Sequence, residues 1–475
     1  MEVSLPISVA VKPSSNRSAA APSAVGNARS VSLPLRFIIT GLLAFLTGVG
    51  LLIARPAMLA TYHYNQYVIA VTHLFVLGWI CSVVMGAVYQ LVPVALETRL
   101  FSERLAKWQF TFHLVGFAGM VWMFWTWNMK QVGHFGSVMA VSVGLFVYNL
   151  ARTLGRVPKW NVTASAIAAA LGWITLTIVA GLSIAAYKCT YESQTGLTTT
   201  TGVSTVLNGL RDVAHFMARF DSISAMHAHA HLGGVGVFTL LIVGVSYKLI
   251  PMFTLSEVKN KRRAAASVAL LNFGLIGSFL TILLRSPWKI VFALVIVSGL
   301  AIYGWELRAI LRVRKRTTLD WGLKYFLTAV GLLLPLSLLS LVLAWPGLPL
   351  NVFTGQLENL YGFLGFIGVV TFAIVGMLYK IVPFLVWFGV YSQRVGLAKV
   401  PSLGDLYSTR LQVMGYWSFL AGLAITAVGI LLCSNLLVRL GCGCLALSAA
   451  ALAINMAKIL QHFARPQFAP LTTAR

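Results

Sequence analysis

The sequence predicts an all-helical membrane protein of twelve transmembrane helices, arranged as three pseudo-repeated four-helix units. Three observations carry this. Apolar residues make up 58% of the 475 and charged residues only 10%, against about 25% charged in soluble chains. Twelve apolar stretches reach the roughly 20 residues that a bilayer requires. One spaced pattern recurs in the second, sixth and tenth of them.

That pattern sets the register. The first copy is His73-Leu74, Gly78, Gly86, Tyr89 and Pro93. The second is His231-Leu232, Gly236, Gly244, Tyr247 and Pro251. The third is Phe363-Leu364, Gly368, Gly376, Tyr379 and Pro383. Offsets of 5, 13, 16 and 20 hold in all three, which marks an internal repeat. The glycines allow close helix approach, and the proline ends or kinks each helix.

Along the chain, residues 1–34 are rich in Ser, Ala, Val and Pro and lack an apolar core. They read as a disordered cytoplasmic tail, not a signal peptide. The predicted membrane domain, 35–457, has spans at about 35–54, 68–93, 107–128, 132–152, 164–187, 225–252, 265–285, 288–308, 323–345, 358–390, 412–433 and 435–457. A loop at 188–224 separates the fifth and sixth and is long enough to cover a site. Residues 458–475 form a second tail. The five cysteines match no zinc or haem-attachment spacing.

The formal charge of +25 could suggest nucleic acid, but its distribution argues otherwise. Arg99, Arg104 and Lys107 fall in one loop, and Arg152, Arg156 and Lys159 in a later one. Lys259 to Arg263, Arg312 to Arg316, and Arg394 to Arg410 continue the series, with poorer loops between. Such alternation predicts that both termini and the basic loops are cytoplasmic. The partner is the lipid bilayer, with no nucleic acid.

Histidines identify the chemistry. An ionisable group within the bilayer is costly and usually functional. His73 and His231 stand 13 residues before equivalent glycines, about 20 Å along the axis, and so at equal depth. Two neutral imidazoles at one depth can give axial ligands to one haem iron. His227 and His231 share a helix face, whereas His229 points elsewhere. A metal could therefore be held by His227, His229 and an outer-face residue such as His134 or His63. His113 reads as a packed, hydrogen-bonded side chain. His215, Arg211 and Arg219 read as solvated, and His462 as an inert residue of the C-terminal tail. Glu358 reads as a charge stabilised by a helix N-terminus, and Lys248 and Lys380 as snorkelling cations.

The stretch Ala228-His-Ala-His-Leu-Gly-Gly-Val-Gly, running to Tyr247-Lys-Leu-Ile-Pro251, resembles the His-x-His helix of the haem–copper oxidase superfamily. Its nearest likeness is to the large subunits of nitric oxide reductases and cbb-type oxidases. Thr72-His73-Leu74, Trp79 and Met85 to Pro93 resemble that family's second helix. The resemblance implies haem b on His73 and His231, and a second, high-spin haem on His229. It also implies copper as a further metal, small partner subunits, a quinol or cytochrome c donor, and a bacterial inner-membrane location. Any catalysis would then be oxidoreductase chemistry of the cytochrome oxidase or nitric oxide reductase kind. The chain departs from the family in placing His-x-His on the sixth stretch. It has Phe363 on the tenth and no histidine on the seventh, so the distal metal of true oxidases is in doubt. It is also similar to the NnrS-type haem–copper membrane proteins of the nitric-oxide stress response. A transporter with a histidine proton relay is a third reading, although the three repeats share one orientation.

Overall fold

The computed structural model describes residues 31–195 and 204–468. These form helices and no β-strand. The long helices are α1 (Ser32–Ala54), α2 (Gln66–Ala95), α3 (Glu103–Trp125), α4 (Met129–Leu154), α5 (Val162–Thr190), α6 (Ser222–Thr254), α7 (Lys261–Leu283), α8 (Lys289–Arg312), α9 (Trp321–Ala344), α10 (Val352–Arg394), α11 (Thr409–Leu431) and α12 (Asn435–Ala464). All but α3 are long and apolar enough to cross a membrane, which makes eleven among the described residues. The chain is a multi-pass membrane protein. The expected span at 107–128 corresponds to α3. At 23 residues it is as long as α1, α7 and α11, but Gln109, His113, three tryptophans and two glycines in its sequence lower its hydropathy.

Helix starts follow capping chemistry. Asn65, Ser102, Asn128, Asp221, Asn260, Asp320, Asn351, Ser408 and Ser434 each accept a hydrogen bond from a first-turn backbone N–H. Those N–H groups have no partner within the helix. The expected tail at 1–34 lies outside the described residues as far as residue 30. The expected tail at 458–475 is helical to Ala464, and 469–475 lie outside the description. The expected loop at 188–224 includes a helix, Ser204–Met217. Residues 196–203 within it are not described.

Each repeat helix breaks its winding at the same place. π-helical segments run Leu74–Cys81, Leu232–Thr239 and Leu364–Thr371, each starting one residue after the first position of the repeat. Hydroxyls bridge the widened turn. Thr239 Oγ1 donates to the Gly234 carbonyl and Thr371 Oγ1 to the Phe366 carbonyl, both at 2.9 Å. Ser82 Oγ does the same for the Leu77 carbonyl at 3.4 Å. Such π-turns are uncommon and concentrate at functional sites. The π segment of α10 packs against those of α2 and α6, and Trp79 Nε1 donates to Thr371 Oγ1 at 3.0 Å between them.

The repeat glycines at offset 13 share one role. A Cβ on Gly86 would meet Phe37 Cβ of α1 at 2.7 Å, one on Gly244 would meet Ala166 Cβ of α5 at 2.1 Å, and one on Gly376 would meet the Gly322 carbonyl of α9 at 2.6 Å. Every repeat helix thus crosses its preceding helix at this glycine. The two following helices form a hairpin in each case: α3–α4, α7–α8 and α11–α12. A buried side chain on the second helix of each hairpin holds the N-cap of the first. Asn149 pairs with the Ser102 backbone at 3.0 and 2.8 Å, and Asn455 with that of Ser408 at 2.9 and 3.1 Å. Glu306 accepts from Asn260 N at 2.7 Å and is ion-paired with Arg263 at 3.1 Å.

One half of each repeat helix is tightly packed and the other is not. From the repeat glycine to the tyrosine the residues are mostly buried, while the turns around His73, His227 to Val235, and Gly355 to Phe366 are mostly half-buried. The histidine end of the bundle is therefore the looser end.

Candidate functional site

His73 lies on the last turn of ordinary helix in α2. Its Nδ1 is 2.8 Å from the Ile69 carbonyl. That contact places the proton on Nδ1 and leaves the Nε2 lone pair free, the arrangement of an imidazole ready to ligate. The Phe124 ring packs at 4.5 Å from the imidazole centroid.

On α6 the three alternating histidines face three surroundings. His231 repeats the His73 arrangement, with Nδ1 2.8 Å from the His227 carbonyl. Its ring stacks on Tyr361 of α10, centroids 5.8 Å apart and planes at 22°, and Nε2 is 3.5 Å from the phenol oxygen. His229 faces α5, where a Cβ on Gly181 would lie 3.0 Å from its Cε1. The Nδ1 of His229 is buried without a hydrogen-bond partner.

His227 meets a third group. Its Nε2 lies 3.2 Å from Nε2 of His63, in the connection between α1 and α2. The two rings are close to parallel, at 27°. Glu358 Oε2 of α10 lies 3.9 Å from His63 Nε2. The ligand atoms of His63, His227 and Glu358 all fall within 4.8 Å of one another. Burial holds the His63 imidazole below its ordinary pKa, so it is neutral and its lone pair is available at neutral pH.

The other expected residues separate by environment. His134 is exposed and 3.2 Å from Gln131 Oε1, outside this cluster. His113 is fully buried against Ser82 Oγ at 2.9 Å, the packed role expected of it. His462, expected in the C-terminal tail, lies on α12, and its Nδ1 is 2.7 Å from the Tyr391 hydroxyl. Lys380, read as snorkelling, is paired with Asp320. His215, Arg211 and Arg219 are exposed.

The sequence marks His63, beside His134, as an outer-face candidate to join His227, but does not single out Glu358 as a partner. A signal was available in the repeat register. Glu358 and His227 stand five and four residues before their repeat positions, and parallel helices bring such positions to one depth. Tyr361 stands two before, where α6 has His229.

Residues 19–157 match the family model described as Cytochrome C and Quinol oxidase polypeptide I. The match spans α1 to α4 and includes His73. No curated protein matches the chain. The matched segment, carrying the one histidine of α2, is thus similar to subunit I of the cytochrome c and quinol oxidases.

Proposed function

We propose that this protein is a haem b-binding membrane protein that handles electrons or a diatomic ligand such as oxygen or nitric oxide. It does so without the three-histidine metal cage of a terminal oxidase. The observation that carries this reading is the stack of His231 on Tyr361 between α6 and α10, whose repeat positions His73 and His229 occupy on α2 and α6. His73 presents a free Nε2, and His229 has a buried ring nitrogen without a partner. The half-buried turns around them are the loosest part of the core. These features fit an axial imidazole pair.

Haem supplies one-electron redox chemistry when bound. The chain's own residues position the ligands. The Ile69 carbonyl holds the His73 tautomer, Phe124 packs against its ring, and glycine at 181 leaves room for His229. On this reading α3 is the twelfth span, and each repeat helix with its preceding helix and following hairpin is one of three four-helix units. The basic loops and both termini face the cytoplasm of a bacterial inner membrane, so the histidine end faces outward. A quinol or cytochrome c would donate electrons, with small partner subunits.

A nitric-oxide stress role is the second reading. It is favoured by Phe363 at the third repeat position and by α7, which has no histidine. A reduced-minus-oxidised spectrum of the purified chain tests haem binding. A b-type α-band is expected, and its absence after expression with excess haem would overturn the proposal. Turnover with nitric oxide or oxygen then separates the two readings.

A further inference from the structure

We infer that His63, His227 and Glu358 form a binding site for one divalent first-row transition ion of the Fe2+ to Zn2+ class, at the histidine end of the bundle. The site is independent of the haem proposal, because it shares neither His73 nor His229.

The geometry suits such an ion. Ligand bonds of about 2.0–2.1 Å in a tetrahedral site place neighbouring donor atoms roughly 3.3–3.4 Å apart. The two Nε2 atoms are 3.2 Å apart, and the carboxylate oxygen lies 3.9 Å from one of them. The donor atoms of His227 and Glu358 lie within 4.8 Å of each other, so a side-chain shift of about an ångström closes the set. The three donors come from the α1–α2 connection, α6 and α10, so no local turn forces them together.

The metal-free alternative is an Nε2–H···Nε2 hydrogen bond. That bond satisfies one nitrogen of each imidazole, leaves the buried His63 Nδ1 without a partner and leaves the Glu358 carboxylate poorly compensated. Lys289, whose charge bears on Glu358, donates its Nζ proton to the Leu343 carbonyl at 3.1 Å and forms no ion pair with Glu358. A partly buried carboxylate without a paired charge is costly, and a metal ion removes that cost while using both imidazoles. Two imidazoles and one carboxylate is a borderline donor set that suits Fe2+, Cu2+ and Zn2+. Three protein ligands leave a position open for water or a small molecule. The His227 carbonyl also accepts the Nδ1 proton of His231, so the site is joined to the Tyr361-stacked imidazole by one backbone group. The donors differ from a cage built on α7, which carries no histidine.

The test uses the full-length protein in detergent, stripped with a chelator and titrated with Co2+ and then Zn2+. One Co2+ per chain is expected, with visible bands of a four-coordinate ion that Zn2+ displaces. His227→Ala and Glu358→Gln should lower the affinity by about 10–100-fold or more, and His63→Ala likewise. His134→Ala should leave it unchanged. Elution as a single species and unchanged far-ultraviolet dichroism establish folding, and the conservative Glu358→Gln guards against a misfolded alanine variant. Absence of stoichiometric Co2+ in the wild-type chain, or equal retention in His227→Ala and Glu358→Gln, would overturn the site.

Discussion

His231 stacks on Tyr361, and it does not point at the equivalent position of the neighbouring repeat helix. Residue 231 is the repeat's first position, and 361 is two residues before that position on α10. His73 and His229 stand in the same positional relation on α2 and α6. Helices related by rotation place equivalent side chains on equivalent faces. Each first position therefore turns toward an offset position of the next helix and not toward its own equivalent. The expected pairing of His73 with His231 rests on equal depth alone; the repeat relation adds His229 as the competing partner.

The first prediction follows from this. His73→Ala and His229→Ala should each abolish a low-spin b-type spectrum. His231→Ala should retain it, because that ring packs on Tyr361. Difference spectra of the three purified variants check the assignment. Loss in His231→Ala with retention in His229→Ala would restore the pairing by depth.

A second prediction concerns the helix crossings. A Cβ on Gly376 would lie 2.6 Å from the Gly322 carbonyl and 2.9 Å from Phe326 N. These are backbone atoms that cannot rotate away. Gly376→Ala should destabilise the fold by about 1–3 kcal/mol through overpacking. Gly144→Ala, where a Cβ meets nothing within 4 Å, should be neutral or stabilising by up to about 1 kcal/mol from helix propensity. Thermal unfolding in one detergent compares them.

The hairpin clamps give the third. Asn149→Ala leaves the N–H and carbonyl of Ser102 without their partner, a loss of about 1–3 kcal/mol. Glu306→Ala removes both the acceptor for Asn260 and the partner of Arg263. Since Arg263 is only partly buried, at 27% exposure, the cost should sit near the lower end of the roughly 3–5 kcal/mol seen for broken buried pairs. Both variants should unfold at lower temperature with unchanged helix content before the transition.

Membrane orientation supplies the fourth. In a chain whose native cysteines are replaced, single cysteines at Lys261 and Leu350 should label oppositely with an impermeant reagent applied outside. Lys261 opens a helix in a basic loop, and Leu350 is exposed at the other end of the bundle. Labelling at Leu350 alone is expected from the charge distribution. Labelling at Lys261 alone would invert the protein and put the histidine end in the cytoplasm.

The sequence by itself determined the class, the repeat and the register. Composition limits a chain this apolar to helices in a bilayer, because backbone groups there must bond within the segment. Conserved offsets then marked the three helices whose winding, glycine crossings and tyrosine ends prove alike. His113 was legible as a packed residue from its position toward the tyrosine end. Only the tertiary structure decided which donors meet. Whether His227 faces Glu358, and whether His229 or His231 faces His73, depends on the rotation of each helix about its axis. That rotation is changed by the π-turns at 74–81, 232–239 and 364–371. No helical wheel of constant pitch carries that information, because one widened turn alters the angle of every residue on one side of it relative to the other. His63 was still less legible, since it sits in a connection whose path is set by the helices around it.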